Sequence, residues 1–159
     1  MGYFIRAFCK SDEPPTVQEI LDAIAETGID AEIDNEVTDR DSIYLEEWEQ
    51  FGYRYNDRRN SVLVECNRRD GPSSVADEEI SEFIESVESA DDSPGKNKVL
   101  KHLEETLFVI SCRLPDDIDD DGIEANGALL SYLEKNYDGM IQADGEGFYD
   151  EDELVVPED

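Results

Sequence analysis

Basic residues are scarce in this 159-residue chain, which has 13 Lys and Arg and one His against 43 Asp and Glu. The formal net charge at pH 7 is therefore −30, and the sequence pI is about 4.1. A surface of this charge repels the phosphates of DNA and RNA and the anionic headgroups of lipids. We therefore expect no direct binding to nucleic acid and none to a membrane surface.

Long hydrophobic runs and paired cysteines are also missing. No apolar run approaches the roughly 18 residues of a membrane span, and the apolar stretch in residues 1–10 is short and interrupted by Arg6, unlike a signal peptide. Cys9, Cys66 and Cys112 are odd in number and far apart. We expect a cytoplasmic protein whose three cysteines are reduced, buried residues of strands.

Motifs of the common catalytic classes are absent from the sequence. There is no G-x-S-x-G nucleophile elbow, no G-K-[ST] phosphate loop and no H-E-x-x-H zinc helix. His102 is the only histidine, and we expect it at the surface of a short helix beside Lys101. One histidine without a cysteine cluster does not make the common zinc sites. We therefore predict a non-enzymatic protein with no catalytic residues and no organic cofactor.

Glycine and proline together account for only 16 residues, which excludes collagen-like and low-complexity classes. What the chain does contain is an alternation of apolar patterns with the periods of strands and helices. The patterns predict strands at 3–9, 29–34, 107–114 and 140–143, a hairpin at 51–67, and a final short strand or hairpin around 148–156. They predict helices at 17–27, opened by a capping box from Thr16 to Glu19, and at 74–90, 96–105 and 123–137.

The order strand–helix–strand occurs near both ends of the chain, with the hairpin between. This order predicts an α+β fold with a mixed or antiparallel sheet and helices mainly on one face, in a ferredoxin-like two-layer sandwich with two βαβ units. The length suits a single domain of residues 1–159. We expect it to contain two pseudo-repeat halves, about 1–69 and 96–159, joined by an acidic helix at 73–90.

The acidic residues are unevenly distributed. Residues 70–95 hold nine acids and no base, and residues 138–159 hold another nine and no base. The polar face of the predicted helix carries five glutamates and no Lys or Arg, and like charges at this spacing repel one another. They are Glu78, Glu79, Glu82, Glu85 and Glu88. Such a face is either solvated, screened by salt or complemented by a positive partner.

Five of the eight arginines lie between positions 54 and 69, in and after the hairpin. They either pair with the acidic body of the protein, contact a second copy, or hold an anionic ligand. The aromatic residues beside them either belong to the core or form an exposed patch. The candidate partner-binding residues are therefore Glu78, Glu82, Glu85, Trp48, Tyr53, Arg58 and Arg59.

The segment 117–122 matches the start of a calcium loop, with Asp117, Asp119 and Asp121 at the positions of the first three ligands. The match fails at the twelfth position, where Ala128 replaces the bidentate glutamate. The competing interpretation is a loop before a helix, with acids near the positive end of the helix dipole.

The leading hypothesis is a strongly acidic cytoplasmic protein that acts by contact with another protein, which is basic or binds nucleic acid. One alternative is a DNA mimic that inhibits a DNA-binding protein. The others are a salt-adapted domain and a weak calcium binder.

Overall fold

The computed structural model describes residues 3–36, 48–69 and 75–157, which contain eight strands and four helices. The strands are β1 (Tyr3–Cys9), β2 (Glu32–Ile33), β3 (Gln50–Arg54), β4 (Val62–Arg68), β5 (Phe108–Leu114), β6 (Met140–Ala143), β7 (Gly147–Asp150) and β8 (Glu153–Pro157). The helices are α1 (Val17–Ala25), α2 (Val75–Glu88), α3 (Pro94–Glu105) and α4 (Asp120–Asn136). The α+β class is thus confirmed.

All eight strands form one sheet in the order β2-β3-β4-β5-β1-β6-β7-β8, and every neighbouring pair is antiparallel. Because β5 and β6 each pair with β1 from opposite sides, they run parallel to each other, and α4 connects them. The predicted hairpin is β3 and β4, and the C-terminal strands β7 and β8 form a second hairpin.

The two faces of the sheet carry separate hydrophobic cores, because alternate residues of a strand point to opposite faces. Ala7 and Cys9 of β1 belong to the first core, which also contains the buried residues of α1 and α4. Phe8 of β1 and Val109 of β5 belong to the second core, with residues of α2 and α3.

Helices therefore cover both faces, and the two-layer arrangement with helices mainly on one face is not confirmed. The physical reason lies in the central strands, whose side chains are apolar on both faces and must be covered on both. In β5, for example, Val109 and Ile110 are both fully buried although they point in opposite directions.

Three helices begin at the capping residues that their sequences provide. The Thr16 hydroxyl accepts a hydrogen bond from the Glu19 N–H at 3.2 Å, as predicted. Ser93 caps α3 just before a proline at its first position, and Asp119 caps α4. Gly28, after α1, adopts φ of +88°, which favours glycine.

Most predicted bounds agree with the structure to within two residues, and two differ by more. Only Glu32–Ile33 of the predicted strand 29–34 pairs with a neighbour, and α4 starts at Asp120 rather than at residue 123. Residues 37–47, and residues 73–74 at the start of the predicted acidic helix, lie outside the described residues. Within the described part of the chain, no helix has the length and apolar character needed to cross a membrane. The three cysteines are buried and unpaired, as predicted.

Candidate functional site

The outer face of α2 carries a row of glutamates, Glu78, Glu82 and Glu85, which we call the acid stripe. All three side chains are exposed, because Ile80 and Val87 on the opposite side of the helix are buried against the sheet. None of the three carboxylates forms an ion pair with a described residue. The acid stripe is therefore negative charge that the described part of the molecule does not neutralise.

The arginines of the β3–β4 hairpin, in contrast, largely face the protein's own acids. Arg59 donates from Nη1 to the Asp117 carbonyl at 3.0 Å, and its Nε lies 3.4 Å from Asp119 Oδ2. Arg54 lies 3.6 Å from Asp34. The side chain of Arg58 is exposed and makes no ion pair with a described residue. Of the two predicted partner-binding arginines, Arg59 pairs with Asp119, whereas Arg58 makes no ion pair with a described residue.

Trp48 and Tyr53 are core residues and not part of an exposed surface, which corrects their assignment to the partner-binding set. Their exposed fractions are 4% and 0%, since both pack in the first core beneath α1 and α4. The Trp48 indole N–H donates to the Pro15 carbonyl at 2.7 Å, and the Tyr53 hydroxyl donates to Asn126 Oδ1 at 3.0 Å. Both polar atoms are satisfied inside the protein, as buried aromatic residues require.

The three predicted calcium ligands are used to start α4 and to dock the hairpin tip. Asp119 Oδ1 accepts the Gly122 N–H at 3.2 Å, and the Asp117 carboxylate accepts the Asn60 N–H at 3.1 Å. Asp121 lies exposed in the first turn of the helix. Among the residues described, no three His, Cys, Asp or Glu side chains are grouped so as to hold a metal ion.

His102 is half-buried rather than at the surface, which corrects its predicted position. Its Nε2 lies 2.7 Å from the Phe8 carbonyl, so this nitrogen carries the proton. Burial lowers the pKa of the imidazole. The ring lines a cavity of about 180 Å³ with Glu134, whose pKa is raised by burial and by nearby acids such as Asp152.

A second cluster, which the sequence reasoning missed, surrounds Arg6 in the middle of β1. Its Nη1 donates to Gln142 Oε1 and to Asp144 Oδ1, both at 2.8 Å, and its Nε lies 3.5 Å from Glu79 Oε2 on α2. We call Arg6, Glu79, Gln142 and Asp144 the Arg6 cluster. The prediction that Glu79 lies on the solvent-facing side of the helix is wrong, because its side chain is half-buried and pairs with Arg6. A lone arginine in the centre of an aromatic strand was the signal that could have indicated it.

The Arg6 guanidinium also lies against two aromatic rings, 5.3 Å from the centre of Phe4 and 5.0 Å from that of Phe83. Burial raises the pKa of Glu79, and its Oε1 is buried without a hydrogen-bond partner. The Oγ of Ser111, which faces Arg6 across the β1–β5 pair, is likewise buried and unpartnered. Polar groups, some of them without a hydrogen-bond partner, are thus concentrated around Arg6 on the face of the sheet that carries the second core.

A groove of about 480 Å³ leads from the Arg6 cluster to the edge of the sheet, between α2 and strands β6 to β8. Its floor follows one row of paired residues across three strands, Gln142, Phe148 and Val156. Its helix wall includes Phe83 and Ser86. The site therefore combines an apolar floor with a polar inner end, the usual composition of a binding groove.

Comparisons of this chain with protein-family models, with curated proteins and with solved structures found no match.

Proposed function

We propose that this protein is a non-enzymatic binding protein that acts by contact with a cationic surface of another protein. The observation that carries the proposal is the acid stripe, Glu78, Glu82 and Glu85, which is exposed and not paired with any described cation. Arg54 and Arg59, in contrast, are engaged with the molecule's own acids.

The energetic argument rests on the spacing along α2. Residues four and three positions apart are neighbours on a helix, so like charges there destabilise it by about 0.2–0.5 kcal/mol per pair. A positive partner removes this repulsion and steers its own approach through the long-range field of the stripe. Ile80 and Val87 pack in the second core and hold α2 against the sheet, so that the three glutamates project from one side of a positioned helix.

The experiment compares two charge-matched variants in affinity capture from a native lysate at 0.15 M and 1 M salt. The first carries Glu78→Gln, Glu82→Gln and Glu85→Gln, and the control carries Glu104→Gln, Glu105→Gln and Glu124→Gln, at exposed positions on α3 and α4. Both lose three negative charges, so they differ only in where the charge is lost.

We expect the wild-type protein and the control to retain the same proteins at 0.15 M salt and to release them at 1 M, because screening removes the attraction. The α2 variant should retain markedly less. Retention of the same proteins by both variants, or capture of nothing by the wild type, would contradict the proposal. Displacement of the captured proteins by duplex DNA would favour the DNA-mimic alternative.

A further inference from the structure

The groove and the acid stripe form one continuous surface of α2. Ser86 and Ser89 of the groove wall each lie one helical turn after a member of the stripe, Glu82 and Glu85 respectively, and so share its side of the helix. The groove also continues outward into a second cavity of about 330 Å³ that shares Ser89 and Val156.

The length of the groove sets the size of what it can hold. Its wall on the helix side runs from Phe83 of α2 to Ala90 in the turn that directly follows the helix, a length of about 10 Å at the rise of a helix. An extended chain rises about 3.3 Å per residue, so three to four residues span it. Phe148 and Val156 on the floor offer contacts for one bulky apolar side chain.

The charge of the groove selects a positive ligand. Asp144 at the inner end and Asp91 in the outer cavity line it, and no lysine or arginine is among the described residues lining either cavity. Both contacts of Asp144 with the Arg6 cluster use Oδ1, which leaves Oδ2 on a side chain that is 42% exposed. The ammonium of Lys96, near the outer end, already donates to the carbonyls of Glu88 and Ala90.

The inner end is also held in place before any ligand arrives. Gln142 is 2% exposed and is bonded on one side to Arg6 and on the other to Asp144. A polar end of this kind is organised by its own hydrogen bonds and orients what binds beside it.

From these observations, and resting on the function proposed above, we infer that the groove is the docking site for an extended segment of the partner protein. The segment carries one bulky apolar residue, which lies over Phe148 and Val156, and two or more Lys or Arg within four residues of it. The basic residues face Asp144 and the acid stripe at the inner end of the groove.

The test is a selection of random 12-residue peptides displayed against the full chain in 0.15 M NaCl, followed by titration of the enriched peptides. Ser86→Trp and, separately, Ser89→Trp place a large ring on the groove wall at exposed positions, the first on α2 and the second in the turn just after it. Ser131→Trp is the matched control, because it makes the same change at an exposed position of α4, on the other face of the sheet.

We expect the enriched peptides to share a bulky apolar residue next to Lys or Arg. Each groove variant should raise their Kd by about tenfold or more, as the loss of a central apolar anchor does. Ser131→Trp should leave Kd within about twofold, and Asp144→Asn should weaken both the binding and its dependence on salt.

Other results overturn the inference in distinguishable ways. One such result is that basic peptides bind the tryptophan variants as tightly as the wild type but fail to bind the α2 glutamine variant. That result would show that the groove is not the docking site, and the proposed function would still stand. Enrichment without Lys or Arg would remove both. A wild-type dimer that Ser86→Trp converts to a monomer, as measured by light scattering, would assign the groove to a second copy instead.

Discussion

Arg6 shows how a single charged side chain organises the second face of the sheet. It joins β1 to β6 through Gln142 and to α2 through Glu79, and its guanidinium lies about equally close to the rings of Phe4 and Phe83. With 14% of its side chain exposed, it depends on these partners to compensate for lost hydration.

Replacement of Arg6 by methionine should therefore be costly. The Arg6→Met variant keeps most of the side-chain volume but leaves Glu79 partly buried without a counter-charge, and we expect it to lose about 3 kcal/mol of unfolding free energy. The double variant with Glu79→Met should recover most of that loss, because no uncompensated charge remains at the pair. Urea unfolding measures both, and a double variant no more stable than Arg6→Met would contradict this account of the cluster.

A second prediction at the scale of a single residue concerns His102 and the dependence of the unfolding free energy on pH. Because burial lowers its pKa in the folded protein, the unfolded chain takes up a proton first as the pH falls. The stability that neutral His102 contributes is thus complete above its ordinary pKa of about 6.5 and is lost as the pH falls from there through the lower folded value.

We expect His102→Gln, which keeps an N–H donor for the Phe8 carbonyl, to lose less stability than the wild type between pH 7.5 and pH 5. The comparison is urea unfolding of both proteins at several pH values in this range. Parallel curves for the two proteins would show that the imidazole does not titrate differently in the folded and unfolded states.

At the scale of elements, the start of α4 packs closely against the hairpin. A Cβ on Gly122 would lie 2.5 Å from Ile118 Cγ1 and 2.6 Å from the ring of Tyr55. Neither distance is compatible with normal van der Waals contact, so the absence of a side chain at this position permits the close approach. Gly127, five residues along the same helix, has no atom within 4 Å of the corresponding point.

The same substitution at these two glycines gives a matched comparison, because only Gly122 lacks room for a side chain. Gly122→Ala should lower the unfolding free energy by about 2 kcal/mol through overpacking, whereas Gly127→Ala should raise it by about 0.5–1 kcal/mol because alanine loses less backbone entropy in a helix. Both are measured by urea denaturation. Equal effects of the two changes would mean that the contact between α4 and Tyr55 does not constrain the packing.

Helix α2 is the element on which the functional proposals depend. One side of it belongs to the second core, and the adjoining surface carries both the acid stripe and the wall of the groove. The sequence indicated the acid stripe because the glutamates recur at helical spacing. It did not indicate the groove, because the floor is formed by β6, β7 and β8, more than 50 residues away in the chain.

At the scale of the whole molecule, the net charge of −30 opposes the compact state by self-repulsion. We expect the melting temperature to rise by about 5 °C between 0.02 M and 0.5 M NaCl, corresponding to roughly 2 kcal/mol for a chain of this size. The rise should then level off, because the Debye length falls to about 3 Å at 1 M salt.

Thermal melts across this range, with the charge-matched glutamine variants, check the expectation. A melting temperature that does not change with salt would mean that the charge has no effect on stability. A continued rise between 1 M and 2 M would favour the salt-adapted alternative.

The predicted strands and helices depend on near neighbours in the chain. The Thr16 cap, the apolar stripe of α2 and the alternation of β1 can each be recognised within about ten residues, and each is present in the structure. The net charge and its segregation are likewise properties of composition and order alone.

The tertiary structure alone decided which of these elements meet. The contact of Arg6 with Asp144 joins residues 138 positions apart, and the buried hydroxyl of Tyr53 is bonded to Asn126 of α4, 73 positions away. Helices on both faces, the Arg6 cluster and the groove all follow from the order in which strands pair. That order is set by the burial of both faces of the central strands, a property of the assembled sheet that no local pattern carries.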